Sequence, residues 1–457
     1  MTVINSNESN KLNIIDNISS ELEESNKQLK EKVKMMEDDK LAALKAKMAN
    51  KTSETTVEVS TPVKKERSIN FGVVGTGQCG GRISEAFYKL GYSAIAINTA
   101  KQDLKFINIP ETNKFLIEYG LGGAAKDLSI GREAAESVKD ELAEFIDAKL
   151  EDSQVNILCL SLGGGSGAGS CDTMIDILSA TGKPLVVIAA LPMNTEDAQT
   201  KANTVETLAK LAKYSQSRKV NNLIVVDNAK IASLLSNISQ LDFYGKANDI
   251  IVEPIDIFNN LSSMPSHVKT LDPMEFGKML MDGEGLSVYG SFDVSNYEDE
   301  TSIAEAIIAN LSGNLLATGF DIKQAKYVGA LIIANKSVWD KIPQASVDYA
   351  MGMINEACSN PLGVFKGVYV VDMPEDIVRV YSFFSGLGLP DSRVNQLKAE
   401  SKLQLEASKE KDKQRSLNLN IDTGNDAVSE AQKIRDKIAA KTSPFAKFTQ
   451  KVVDKRK

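Results

Sequence analysis

The sequence predicts an α/β fold: a parallel-sheet domain covered on both faces, a central helix joining it to a second, smaller mixed α+β domain, and helical or disordered extensions at both ends. Three observations carry this. Short apolar runs alternate with amphipathic stretches through the first part of the folded region, the order that builds a parallel sheet with crossover helices. Three glycine clusters, at 75–81, 120–125 and 163–169, punctuate that alternation. Beyond a loop holding Pro265, His267 and Pro273, glycine loops stop and strands are spaced by one helix and then by a short turn, which indicates a smaller mixed sheet.

Composition narrows the class. A chain of 457 residues accommodates two or three domains. Its 42% hydrophobic and 25% charged residues are those of a globular protein, and a net charge of −8 argues against a whole-surface nucleic-acid binder. No apolar run approaches the roughly 18 residues of a membrane span. Met1–Ser6 lacks the basic-then-apolar order of a signal peptide. Cys79, Cys159, Cys171 and Cys358 show no metal-ligand spacing and fit a reduced, cytoplasmic compartment. His267 is the only histidine, which excludes multi-histidine metal sites.

In order, residues 1–66 read as an appendage. Leu22, Leu29, Val33 and Met36 keep a partial heptad spacing, suggesting a solvated helix or a coiled coil, and Thr52–Lys65 reads as a linker. A first domain, 67–265, opens with a strand at Ile69–Val74, then Gly75-Thr76-Gly77-Gln78-Cys79-Gly80-Gly81, then a helix face of Ile83, Ala86, Phe87 and Leu90. A strand at Ser93–Thr99 follows, then Gly120–Ala125 and a helix presenting Val138, Leu142, Phe145 and Ile146. The run Val155–Leu162 is a buried strand leading into Gly163-Gly164-Gly165-Ser166-Gly167-Ala168-Gly169. Cys171, Met174, Ile175 and Leu178 then mark one helix face. Strands follow at Leu185–Leu191 and Leu223–Asp227. A long helix spans Tyr244–Leu261, with Pro254 as a kink or break. The second domain, 266–391, has strands at Val328–Ala334, Gly367–Asp372 and Ile377–Phe384. From 392 to 457 the chain is polar. Residues 392–430 read as disordered or loosely helical, and 433–457 hold nine Lys or Arg against two Asp.

A glycine loop between a strand and a helix lets backbone amides approach an anion, and the helix start adds unpaired N–H groups and partial positive charge. Phosphate is the usual occupant. Gly75–Gly80 satisfies G-x-G-x-x-G, yet the place for a ribose-binding acid at the end of the next strand holds Asn98-Thr99. A Walker A sequence is absent. Several glycine loops on neighbouring strands instead imply a triphosphate held mostly by backbone amides.

These motifs resemble, in order and over roughly residues 68–385, the tubulin/FtsZ superfamily of GTP-dependent filament proteins. Gly77-Gln78-Cys79-Gly80 is similar to the first nucleotide loop of tubulin and Asn98-Thr99 to the second loop. Gly120–Ala125, with Gly131-Arg132-Glu133-Ala134-Ala135 behind it, is similar to the third loop of FtsZ. Gly163–Gly169 resembles the signature loop, with Ser166 and Ala168 where Thr is usual. The resemblance implies phosphate binding by Gly77, Gln78, Cys79, Gly122, Gly123, Ala124 and Gly163–Gly169, with Asn98 near the phosphates and Mg2+, itself held mainly through the nucleotide. It implies Glu196 on the ribose, Asn228 and Asp249 on guanine, and Tyr244 stacked on the base. FtsZ has an Arg shortly after the ribose acid, and here that place is Thr200, next to Lys201.

Thr270-Leu271-Asp272-Pro273-Met274-Glu275 resembles the family's catalytic loop, with Thr270 replacing the usual Asn. The resemblance implies that Asp272 and Glu275 act on the GTP of the next subunit in a head-to-tail homopolymer, so that hydrolysis depends on assembly. The expected protein is a cytoplasmic, filament-forming GTPase used in cell division, plasmid segregation or viral DNA positioning. Its basic C-terminal tail is a candidate contact for an adaptor, a membrane or a DNA complex. The competing readings are a non-polymerising GTP-binding scaffold and a Rossmann-type NAD/FAD oxidoreductase.

Overall fold

Apolar runs too short for helices become most of the parallel strands of the first half, β1 Phe71–Thr76, β2 Ser93–Asn98, β4 Val155–Ser161, β5 Leu185–Leu191 and β6 Asn222–Asp227, with the short, half-buried β3 Lys114–Leu116 at the edge. Every residue of β1, β5 and β6 is buried. The computed structural model describes residues 66–313 and 319–418. The N-terminal appendage and the basic end at 433–457 lie outside these.

The second half adds β7 Leu286–Val294, β8 Tyr327–Ala334, β9 Gly363–Val370 and β10 Val378–Leu387. Strand order is β3-β2-β1-β4-β5-β6-β7-β10-β8-β9. β10 runs antiparallel to both β7 and β8, and β8 pairs in parallel with β9, so this half is mixed. It is continuous with the parallel half through a short seam, Leu223 against Leu286 and Ile224 against Ser287. The sequence reading missed β3 and β7. β3 has only three half-buried residues, and in β7 Ser287, Gly290, Ser291 and Asp293 interrupt the apolar run.

Helices of the first half are α1 Gly77–Lys89, α2 Lys101–Lys105, α3 Leu128–Ser137, α4 Lys139–Leu150, α5 Gly165–Gly169, α6 Cys171–Ala180, α7 Ala198–Gln216, α8 Asn228–Leu234 and α9 Gln240–Leu261. Those after it are α10 Pro273–Met281, α11 Ser302–Gly313, α12 Lys336–Trp339, α13 Gln344–Ala357 and α14 Asp391–Asn418. The helix expected to present Val138, Leu142, Phe145 and Ile146 is two helices that meet at Val138. Leu142 and Ile146 are buried, and Phe145 packs on Phe115 of β3. Of residues 392–430, expected to be disordered or loosely helical, 392–418 belong to α14, which packs along α7, and 419–430 lie outside the described residues. No described helix is long and apolar enough to cross a membrane.

The central helix α9 runs through Pro254. A proline ring disturbs the turn before it, and there the buried Tyr289 donates its hydroxyl to the Ile251 carbonyl at 2.7 Å. One turn further on, α9 is stitched to the chain entering β1. Ile69 N–H donates to Asn259 Oδ1 at 2.9 Å, and Asn259 Nδ2 donates to the Ile69 carbonyl at 2.8 Å and to the Tyr92 hydroxyl at 3.1 Å. Tyr92 in turn donates to Asp256 at 2.8 Å, and Arg67 pairs with the same carboxylate. Asn259 is fully buried, so its loss strands both backbone groups of Ile69. Asn259→Ala is expected to cost about 2–4 kcal/mol in chemical denaturation; a change below about 0.5 kcal/mol would show that water replaces the amide there.

Candidate functional site

The carboxyl ends of β1, β4, β5 and β6 meet the starts of α1, α5, α7 and α8 around one cleft of about 390 Å³. Position follows from topology, since ligands of parallel sheets bind beyond these strand ends.

Glycine acts here by letting backbones touch. Helix α1 begins at Gly77 itself, with φ +70°, so the expected loop at 77–81 is the first turn of a helix. A Cβ at Gly77 would lie 3.0 Å from the amide nitrogen of Gly167. The signature glycines behave likewise, with 165–169 forming α5. A Cβ on Gly131 of α3 would come within 2.0 Å of the Gly165 carbonyl oxygen, so α3 holds α5 by backbone contact. Neither α1 nor α5 has a side-chain N-cap or an acid in its first turn. By contrast, Asp197 caps α7 and Asp272 caps α10. For α1 the N-terminal amides are therefore open to an external anion.

The structure brings most predicted residues to the cleft wall: Gly77, Gln78, Cys79, Gly123, Ala124, Gly163 to Gly167, Glu196, Asn228 and Tyr244. Five binding candidates are elsewhere. Asn98 is buried behind it. Its Oδ1 accepts from Ala100 N–H at 3.1 Å and its Nδ2 donates to Asp103 at 3.2 Å, so it braces the turn that presents Ala100 and Asp103. Gly122 lies beside the lining Gly123, whose N–H donates to the Thr99 carbonyl. Ala168 and Gly169 are the buried far end of α5.

Asp249 is the instructive miss. Its neighbour Asn248, 9% exposed, lines the cleft instead. One residue along a helix is a turn of about 100°, and that turn sets Asp249 among Lys89, Lys246, Glu253 and Glu85. The guanine contact was expected at Asp249, and the cleft wall holds Asn248 at the preceding position.

Asp272 and Glu275 are also outside the cleft of their own chain. They form a reciprocal capping box on α10: Glu275 N–H donates to Asp272 Oδ1 at 2.8 Å, and Asp272 N–H donates to Glu275 Oε2 at 3.0 Å. Thr270 accepts from Ser266 N–H at 3.0 Å and so shapes the loop before them.

Two charges that the sequence motifs do not mark also line the cleft. Arg82 lines it, with its guanidinium 4.5 Å from the Tyr244 ring centre. Lys126, in the left-handed conformation at φ +64°, pairs with Glu196 at 3.4 Å and Asp197 at 2.5 Å. The Asp197 hydrogen bond outweighs desolvation and raises the Lys126 ammonium above its ordinary range, so it stays charged. Burial pushes the Cys79 thiol up to about 11, against the opposing charge of Arg82, leaving a neutral wall there. Both cations sit next to glycine clusters, at 80–81 and 120–125, which was the available signal. Thr200 lines the cleft, while Lys201 is buried and turned to the Asn194 carbonyl and Glu400.

Glycine-started helices converging on one cleft of a parallel sheet define a nucleotide-binding α/β protein. Residues 70–236 match the model of the Tubulin/FtsZ family, GTPase domain. The chain is 29% identical over 331 residues to the tubulin-like protein CetZ of Pyrococcus furiosus, covering 69% of this chain and 84% of that one. It is 27% identical over 327 residues to the cell division protein FtsZ 2 of Methanocaldococcus jannaschii, covering 70% and 80%. In fold it is similar to TubZ of Bacillus thuringiensis serovar israelensis, solved as a GTPγS-form protofilament, with a TM-score of 0.68 at 20% identity over 78% of this chain and 96% of that one. The part of the chain at 70–236 thus matches a Tubulin/FtsZ GTPase domain, and the protein is a GTPase.

The helix phase at Asn248 gives a direct test with fluorescent mant-GTP. Asn248→Ala is expected to weaken binding about tenfold, the loss of one or two buried hydrogen bonds. Asp249→Ala should stay within about twofold. Equal effects, or a larger one at Asp249, would reverse the assignment.

Proposed function

We propose that this chain hydrolyses GTP within filaments assembled head to tail, each cleft being completed by Asp272 and Glu275 of the next subunit. The observation that carries the reading is the separation of the two carboxylates from the cleft of their own chain: they cap α10, while the nucleotide loops lie at the strand ends of the first half. Exposed apolar side chains occur at both places, Leu121 in the cleft loop and Met264, Val268 and Met274 around the capping box, which suits burial between subunits. A neighbour in fold is described as a protofilament.

In this reading residues 67–265 supply the nucleotide half and 266–391 the activating half. Amides of Gly77, Gln78 and Gly163–Gly167 hold the phosphates. Glu196 holds the ribose, Tyr244 the base face, and Asn228 with Asn248 the guanine edge, where amide oxygens accept from N1–H and N2–H. Among the described residues there is no cluster of three metal-ligating side chains; Mg2+ would be held mainly through the phosphates, with Asp103 on the cleft wall as a carboxylate donor, and would neutralise phosphate charge. In the capping box each carboxylate uses one oxygen on a backbone N–H, leaving the other to orient and polarise a water aimed at the γ-phosphate. The filament works in the cytoplasm, in cell division, plasmid segregation or positioning of viral DNA.

The test is GTP turnover against protein concentration with light scattering, for wild type and Asp272→Asn. Asparagine caps a helix as well as aspartate, so this variant removes the charge and keeps α10. Turnover per subunit should rise above a critical concentration as scattering appears. The variant should scatter while hydrolysing at least about a hundredfold more slowly. Turnover strictly proportional to protein, without scattering, would mean a self-contained site and would end the filament reading.

A further inference from the structure

The rear wall of the nucleotide cleft is held by the C-terminal helix, through charges that the reaction does not use. Arg393, in the first turn of α14, has a side chain only 4% exposed. Its Nε lies 2.9 Å from Asp227 Oδ2, and its Nη2 donates to Asp227 Oδ1 at 3.3 Å and to the Pro192 carbonyl at 3.1 Å. Asp227 ends β6, and its Oδ1 also accepts from Ala229 N–H at 3.0 Å, fixing the turn that carries Asn228. Pro192 follows β5, and both Pro192 and Asn228 line the cleft. One guanidinium from the first turn of α14 therefore ties together the two strand ends beside the base side of the site.

A second staple lies two turns on. Lys201, 1% exposed, donates to the Asn194 carbonyl at 2.9 Å and pairs with Glu400 of α14 at 2.9 Å. Ser401 donates to the Ala198 carbonyl at 3.3 Å. The loop from 192 to 198, which carries Glu196, is thus gripped from behind at three points by α14 or by its partner lysine. Sequence reading found none of this, because residues separated by about two hundred positions carry it and α14 has little apolar periodicity.

We infer that Arg393 is a positioning residue for the nucleotide site and that docking of α14 and binding of GTP are linked, each strengthening the other. This rests on the cleft being the GTP site. The linkage follows from shared parts. Residues 192–198 and the turn at 227–229 have one arrangement when α14 is docked, and GTP contacts the front of that same arrangement. Whatever lifts α14 away, a neighbouring subunit or a partner gripping its polar face, leaves Asp227 buried and unpaired and Lys201 without its carboxylate, and loosens the loop that carries Glu196. By reciprocity, GTP holds α14 down by the same factor.

Amide hydrogen exchange on the wild-type chain with and without GTP, with ATP as control, decides this without a variant. Amides between 394 and 405 should exchange about fivefold or more slowly with GTP. Protection of the cleft loops with α14 unchanged would overturn the linkage and leave the GTP site intact. Protection of neither would overturn the GTP site itself, and the linkage with it. Arg393→Gln supplies the second arm: mant-GTP affinity should fall about tenfold at a temperature well below its own unfolding. A folded variant with lowered melting temperature and unchanged affinity would show that Arg393 only fastens the helix, and would overturn the positioning role.

Discussion

The structure depends on backbones approaching closer than side chains permit. Helices α1 and α5 start at glycines 77 and 165, and α3 presses on α5 so tightly that a single methyl on Gly131 would meet the Gly165 carbonyl oxygen at 2.0 Å. These contacts bring glycine-started helices to one cleft and leave main chain, rather than large side chains, on the wall proposed for the phosphates. A surface made of backbone is indifferent to which small residue sits on it. Ser166 and Ala168, where the family prefers Thr, therefore alter the cleft little: Ser166 keeps a hydroxyl within 2.6 Å of Thr99 Oγ1, and Ala168 is buried away from the wall.

Much of this was legible in the sequence because it is local. Strand, glycines and helix follow one another within a dozen residues, so β1–α1 and β4–α5 could be read directly, and with them most of the cleft wall. What failed was phase and distance. Asn248 and Asp249 are adjacent in sequence and about a third of a turn apart on α9, and only the packed helix shows which one faces inward. Strand β7 was unreadable because its polar residues at 287, 291 and 293 break the apolar run, yet its pairing with β10 and its short seam with β6 make one sheet of ten strands.

Helix α14 was legible only as one of two alternatives, disordered or loosely helical, for a third reason. Its 28 residues carry almost no apolar stripe, and composition alone argues for a solvated tail. Its start is fixed instead by buried charge, Arg393 on Asp227, with Glu400 on Lys201 further along. Such pairs add little net stability over an apolar contact, because desolvation offsets the attraction. They are unforgiving of misplacement, since either partner left alone in the interior is costly. Burial raises the Asp227 carboxyl above its ordinary range even against the pull of Arg393, which shows how little water reaches the pair. An apolar seam could slide by a turn; this one cannot.

That distinction bears on how a divided active site keeps its geometry. If the catalytic carboxylates arrive from another subunit, neither chain can correct the other's errors by local adjustment, and both halves must be rigid before they meet. The capping box does this for Asp272 and Glu275, because each side chain is tied to the backbone of the other at the start of α10. On the proposed nucleotide side the corresponding devices are the glycine contacts between α1, α3 and α5 and the buried charges behind the ends of β5 and β6. The first cannot move without a clash, and the second cannot move without stranding an ion. The ion-held wall is the one that a partner could exploit, since α14 lies outside the sheet it steadies and its later turns are exposed. Rigidity built from charge rather than from apolar packing is rigidity that can be released, and in this fold it lies behind the ends of β5 and β6, the side proposed for the base.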